Sequence, residues 1–270
     1  MSLLNVVAFA FLFLQAAETD EAIEAERIKE ALRITTEWAA KYHFQTASEA
    51  PIVLQPDPIL RWSNPEQGSI HGNVFLWTHQ MRPVVIGSLF QWFSPFTHMS
   101  HEFHSLSEQR LTAERSGRIV WESPPGITFQ LVAGAPTVAK TANGRQLQMR
   151  QIVRAFRVRK RDRDTTEDDE LRLLPTPVYR YDESQNAAGS GGLFVFVQAT
   201  DPELIAWLEA RETADNRRLW HVSFARMNSV QIRVLNDSAE IWQADEMPWS
   251  EVFAHRQPYT SFTSRHHPIE

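Results

Sequence analysis

The side chains best able to do chemistry lie close together at Thr97-His98-Met99-Ser100-His101-Glu102-Phe103-His104. Three imidazoles and a carboxylate in one short run could ligate zinc or copper, because neutral imidazole is a good ligand for both. Held by His101, Glu102 and His104, such an ion would activate water, and the protein would be a metal-dependent hydrolase. The spacing is not that of a zinc-protease helix, since His104 follows Glu102 by only two, and Pro95 with its aromatic neighbours disfavours a helix here. On a strand, 102 and 104 share a face, while 98, 101 and 104 do not all do so. The alternative is a strand or loop whose histidines bond to their neighbours.

A second group is basic. Arg150, Arg154, Arg157 and Arg161 are spaced by four, three and four, which on a helix places four guanidinium groups on one face. That face could grip a phosphate, a carboxylate or an anionic membrane surface. Asp162, Asp164, Glu167, Asp168 and Asp169 follow directly and can neutralise it. Other chemistry leaves no local trace. There is no Gly-x-Ser-x-Gly elbow, no phosphate-cradling glycine loop and no dinucleotide fingerprint. Asp201 and Glu203 read as helix-start residues, and His221 reads as a structural histidine within a strand.

Several strings resemble those of an uncharacterised family of exported bacterial proteins. They are residues 72–77 with Arg82-Pro83, His101-Glu102-Phe103-His104-Ser105-Leu106, Gln148-Met149-Arg150, Leu171-Arg172-Leu173-Leu174-Pro175 and Thr200-Asp201-Pro202-Glu203. Together they are spread over most of residues 70–205. The family carries no assigned activity, so the resemblance implies an exported single domain and transfers no site. The helix-then-hairpin start is similar in architecture to the cone-shaped folds related to nuclear transport factor two.

Composition bounds the chemistry, and the N-terminus gives the expected destination. The chain has no cysteine, which excludes a disulfide framework, thiolate nucleophiles and cysteine zinc sites. A net charge of −6 argues against nucleic acid as a partner. Residues 3–14 form an apolar run broken only by Asn5, and Gln15-Ala16-Ala17 precedes the acidic segment from Glu18. Such a run makes about 18 Å of helix against a ~30 Å hydrocarbon core, so it fits a secretory signal over residues 1–17 better than a membrane span. No later segment could span a membrane. The mature chain, 18–270, is then expected in the periplasm or outside the cell as one domain.

The elements that must position these groups follow from periodicity. Residues 19–42 carry apolar side chains at helical spacing, and 44–68 hold four prolines and read as surface loop. Residues 69–77 and 83–92 read as two strands joined by a longer loop, since 78–82 lack the Gly or Asn of a tight primed turn. Strands are expected at 118–122 and 127–132, a helix over 143–158, and extended chain over 171–181. Residues 186–192 form a Gly/Ser/Ala turn. A strand at 193–199 leads into a helix from Thr200 to about Arg211, opened by the Thr-x-x-Glu capping box. Three antiparallel strands, at 219–227, 230–235 and 239–243, precede a loosely packed tail after about 247. No repeat stands out.

These elements predict an α+β class: a largely antiparallel sheet with an N-terminal helix, a central basic amphipathic helix and a short capped helix near residue 205. The function expected is noncatalytic binding of a small molecule or an envelope protein. Its apolar wall would be Trp77, Trp92 and Phe96 with Phe90 and Phe93. His98, His101 and His104 would form the rim, and Arg150 and Arg154 would bind charge. The metal-dependent hydrolase is the alternative.

Overall fold

The structure, a computed structural model, describes residues 3–48, 50–182 and 189–264, with side chains from residue 20 onward. Two long hairpins form its centre. β4 (Ile70–His79) and β5 (Arg82–Trp92) make the first, and β14 (Ser190–Gln198) and β15 (Asp201–Glu212) make the second. The remaining elements are α1 (Leu3–Ala39), β1 (Tyr42–Thr46), β2 (Val53–Leu54), β3 (Leu60–Ser63), β6 (His98–Ser105), β7 (Leu111–Arg115), β8 (Arg118–Ser123) and β9 (Gln130–Leu131). After them come α2 (Ala142–Arg154), β10 (Phe156–Arg161), β11 (Asp169–Glu170), β12 (Arg172–Leu173), β13 (Tyr179–Tyr181), β16 (Arg218–Arg226), β17 (Gln231–Asn236) and β18 (Ala239–Ala244). α3 (Trp249–Val252) and β19 (Tyr259–Ser264) end the described chain.

The α+β expectation is overturned: the fold is β-rich, with nineteen strands and three helices among the described residues. The expected helix at 200–211 is strand β15, paired with β14 on one side and β16 on the other. Its residues 202–210 are buried on both faces, so no polar alternation marked it as a strand. Glu203 does not cap a helix; its carboxylate accepts from Lys160 and Asn228. The central helix is real but short. α2 ends at Arg154, and β10 begins at Phe156, which removes Arg157 and Arg161 from the helix face. The segment after Met247 is not loose, for β19 pairs with β6 along its whole length and Val252 is fully buried. The expected cleavage point at 16–17 falls within α1. Part of the expected turn at 186–192, residues 186–188, lies outside the described residues.

No repeat stood out in the sequence, yet the fold is duplicated. One six-stranded sheet runs β19-β6-β5-β4-β2 with β3 on β4, and the other runs β9-β16-β15-β14-β12 with β13 on β14. Two smaller sheets match likewise, β1-β7-β8 and β10-β17-β18, the latter extended by β11. Pro56, Pro58, Trp62, Gly72 and Pro83 recur as Pro175, Pro177, Tyr181, Gly191 and Pro202, each 119 positions on. The central hairpins carry their bulge at matching places, Trp77/Thr78 and Phe196/Val197. Further along, Trp121 recurs as Trp242, and the bulge at Ala113/Glu114 recurs at Val234/Leu235. Trp62 pairs with Gly72 as Tyr181 does with Gly191, and a Cβ on either glycine would lie 2.1 or 2.6 Å from the aromatic side chain. Each half therefore needs a glycine under its aromatic ring.

The two six-stranded sheets face each other through Val74, Leu76 and Ile86 on one side and Leu193, Val195 and Ile205 on the other. The outer face of the first carries Phe75, Trp77 and Phe103, covered by α1 and β1-β7-β8. The outer face of the second carries Phe194, Phe196 and Phe224, covered by α2 and β10-β17-β18. The strand following each half crosses over: β9, after the first half, joins the second half's sheet, and β19 joins the first half's.

The β4–β5 connection is tighter than the longer loop expected. Gln80 and Met81 form it alone, both with positive φ, at 47° and 66°. Tyr179 donates a hydrogen bond to the Met81 carbonyl at 2.9 Å, and Met81 packs against the core, which holds a conformation its sequence disfavours. Replacing Gln80 by Asn relieves the strain without touching Met81. We expect Gln80→Asn to raise stability by about 0.5–1 kcal/mol, read as a higher urea midpoint at unchanged slope.

Candidate functional site

β6 distributes the predicted metal ligands over both of its faces. His101 is fully buried on the α1 side, where its Nδ1 lies 3.1 Å from the Tyr42 hydroxyl and its ring packs edge-on to Trp38. Burial, with Arg115 close by, pushes its pKa down to about 3. His104 and Glu102 face the other way. His104 Nδ1 bonds to the Ser105 carbonyl at 2.9 Å, and burial lowers its pKa to about 4. His98 stacks on Trp92 at 5.1 Å. Among the described residues no three His, Asp or Glu groups converge where an ion could be held, so His98, His101, Glu102 and His104 do not make a zinc site.

The predicted aromatic wall also divides. Trp77 is a core residue, 2% exposed and edge-on to Phe44. Phe96 is 65% exposed near His98, and only Trp92 and Phe90 line a cavity. Arg150 and Arg154 sit on α2, away from that cavity. Arg157 pairs with Glu170 at 2.5 Å and Arg161 with Asp168 at 2.8 Å, the acidic run neutralising the stripe.

What the fold assembles instead is a cavity of about 380 Å³ where the two large sheets meet. Its aromatic wall is Trp62, Phe90, Trp92 and Trp249; its polar wall includes Glu102, Asp201, Glu203 and Lys160. Asp201, at the tip of the second hairpin, accepts from Asn64 Nδ2 at 3.3 Å. Glu203 accepts from Lys160 Nζ at 2.8 Å and also from Asn228. Lys160 is spent on that contact, on Gln198 and on Asp162 at 3.3 Å. Glu102 bonds to the Tyr259 hydroxyl. Burial raises the Glu102 carboxyl far above the carboxylate range, with Asp201 adding to it, and burial with Glu203 raises Asp201 to about 8. Glu102 and Asp201 make no ion pair among the described residues, although Lys160 attracts Asp201 from its contact with Glu203, and such perturbed carboxyls collect at functional sites.

The duplication supplies an internal reference. At the matching corner of the other hairpin stands Arg82, the counterpart of Asp201 by 119 positions. Arg82 grips buried Glu209 through Nε at 2.9 Å and Nη2 at 3.0 Å. Its guanidinium lies 4.7 Å from the Trp207 ring centre and 5.7 Å from that of Phe129. Tyr181 donates to Glu209 as well, so this corner is closed and neutral. The counterpart of Glu209 in the open corner is Phe90, which lines the same cavity as Asp201 and offers it no charge.

Sequence reading singled out Glu102, Trp92 and Phe90 but missed Trp62, Asn64, Lys160, Asp201, Glu203 and Tyr259 as one site. Asp201 and Glu203 carried a competing helix-cap explanation, and the others lie up to 197 positions apart. The one available signal was the pair of similar strings Leu54–Ser63 and Leu173–Asp182, which exposes the duplication. No known family model matches the chain, and no curated protein or solved structure matches it.

A carboxyl whose folded pKa lies above its unfolded value keeps its stabilising proton below about pH 4 and loses it as pH climbs through about 8, so Asp201 weakens the fold across that window. Asp201→Asn removes the titration. The variant is expected to melt a few degrees above the parent at pH 8.5 and alongside it at pH 4, by calorimetry at both values.

Proposed function

We propose that this is an exported, noncatalytic binding protein of the cell envelope, whose small-molecule ligand presents an ammonium or similar cationic group to the Asp201 corner. One observation carries the reading. In the closed corner the chain's own Arg82 cation sits between Glu209 and aromatic rings; in the open corner Asp201 stands in its place beside Phe90, and the two cations on that cavity's wall are committed elsewhere, Lys160 to Glu203 and Arg163 to Glu246. An ammonium between Trp62, Trp92 and Asp201 would gain cation–π attraction of about 0.5–2 kcal/mol per ring and give Asp201 an ion-pair partner. The apolar N-terminal run is what supports export. Among the described residues the histidines are dispersed and no three ligands converge, which favours binding over the metal-dependent hydrolase.

The test is titration with tetramethylammonium, choline and putrescine, followed by tryptophan fluorescence and calorimetry. At least one should bind one-to-one and tighten as pH rises from 6 to 9, because Asp201 must lose its proton to receive a cation. Asp201→Asn and Trp92→Ala should each weaken it about tenfold, or 1.4 kcal/mol. If none of the three binds at pH 9, or both variants bind as the parent does, the reading is wrong.

A further inference from the structure

A second cavity, of about 440 Å³, lies on the far side of Tyr259 from the acidic corner. Ile127, Phe224, Trp242 and Met247 give it an apolar body, and Arg226 and His104 give it two buried polar groups. Arg226 is only 6% exposed. Its Nε donates to the Asn228 carbonyl at 2.8 Å, its Nη1 to that of Asp245 at 2.8 Å and its Nη2 to that of Val230. A guanidinium has five N–H donors, so two remain after these three. All three acceptors are neutral main chain, and no carboxylate among the described residues lies within ion-pair distance of Arg226. Leaving a buried charge without an ion-pair partner is expensive, and burial lowers this guanidinium to about 10, with Tyr259 and the Asp245 carboxylate offsetting part of that and Arg163 adding to it.

We propose that this cavity is a binding site for an organic anion with an aromatic or otherwise apolar body, its acidic group taken by the two spare donors of Arg226. His104 is neutral at pH 7, with Nδ1 held by the Ser105 carbonyl, so its free Nε2 can accept from a hydroxyl or amide on the ligand. Tyr259 is turned to Glu102 and adds no charge. The carboxylate on the wall, Glu251, is exposed and so stands at the solvent side, where it repels weakly in water. Phe224 and Trp242, with centroids 5.6 Å apart, form the aromatic face on which a ring would lie. The site differs from the acidic corner in charge and in every wall residue except Tyr259, so it stands whether or not that corner binds amines.

Two fluorescent probes of the same ring framework separate the possibilities: 8-anilinonaphthalene-1-sulfonate, an anion, and N-phenyl-1-naphthylamine, its neutral relative. The sulfonate should bind at one per chain, about tenfold or more tighter than the neutral amine. Ala244→Trp, which fills the cavity from a half-buried position, should abolish sulfonate binding while leaving the circular dichroism and melting temperature near those of the parent. Arg226→Met should lower sulfonate affinity about tenfold and spare the neutral probe. Equal affinity for the two probes overturns the anion, and binding that survives Ala244→Trp overturns the site. Should Arg226→Met fail to fold, the probe pair and Ala244→Trp still decide both points.

Discussion

Everything in this fold depends on two twisted sheets buried against each other through aliphatic side chains that neither half could hide alone. Val74, Leu76 and Ile86 meet Leu193, Val195 and Ile205, and each central hairpin is then also covered on its outer face. A sheet buried on both sides must be apolar along its whole length. The smaller sheets and helices are the consequence: α1 with β1-β7-β8 and α2 with β10-β17-β18 shield aromatic faces that would otherwise be exposed. The paired bulges, and the glycines beneath Trp62 and Tyr181, fit the same demand for close approach in both halves.

Duplication makes the departures from it informative. Apolar packing positions repeat, buried Trp121 with partly buried Trp242 and Phe44 with Val158, because both halves solve the same packing problem. The hairpin tips do not repeat. Arg82 closes one corner with a bidentate ion pair, and Asp201 leaves the other open beside Glu102 and Glu203. An interior that tolerates carboxyls raised well above their solution range gives up stability that a leucine would supply. Natural chains give up stability where function requires it.

Much of the β structure was legible and most of the site was not, for one reason. The three strands at 218–244 alternate apolar and polar residues in sequence, as at Trp220, Val222 and Phe224 against His221 and Ser223, and fall within a residue or two of the periodicity that predicts them. β15 is buried on both faces and loses its alternation, and Thr200-Asp201-Pro202-Glu203 then satisfies a helix-start pattern by chance. With β15 read as a helix, Asp201 and Glu203 had a local explanation and no reason to meet Glu102. The histidine run failed oppositely. Local density suggested a centre, but the two-residue period of a strand sends His101 to one core and His104 to another. The duplication escaped notice because its signature is sparse: two prolines, an arginine and an aromatic in a ten-residue string, with little identity elsewhere.

The exchange of end strands explains why each corner is built by both halves. Phe129, just before β9, belongs to the first half yet lies against Trp207, where it covers Arg82 and Arg211. Tyr259 opens β19, follows the second half and reaches the first half's Glu102. Neither half alone has a complete corner, so a single half would leave Arg82 or Glu102 without its cover. Two copies of such a half, exchanging their last strands across a two-fold axis, would make two identical corners. Fusing the copies into one chain frees the corners to differ, and only then can one keep its ion pair while the other opens. The asymmetry that distinguishes Asp201 from Arg82 thus belongs to the single chain; a symmetric pair of halves could not have it.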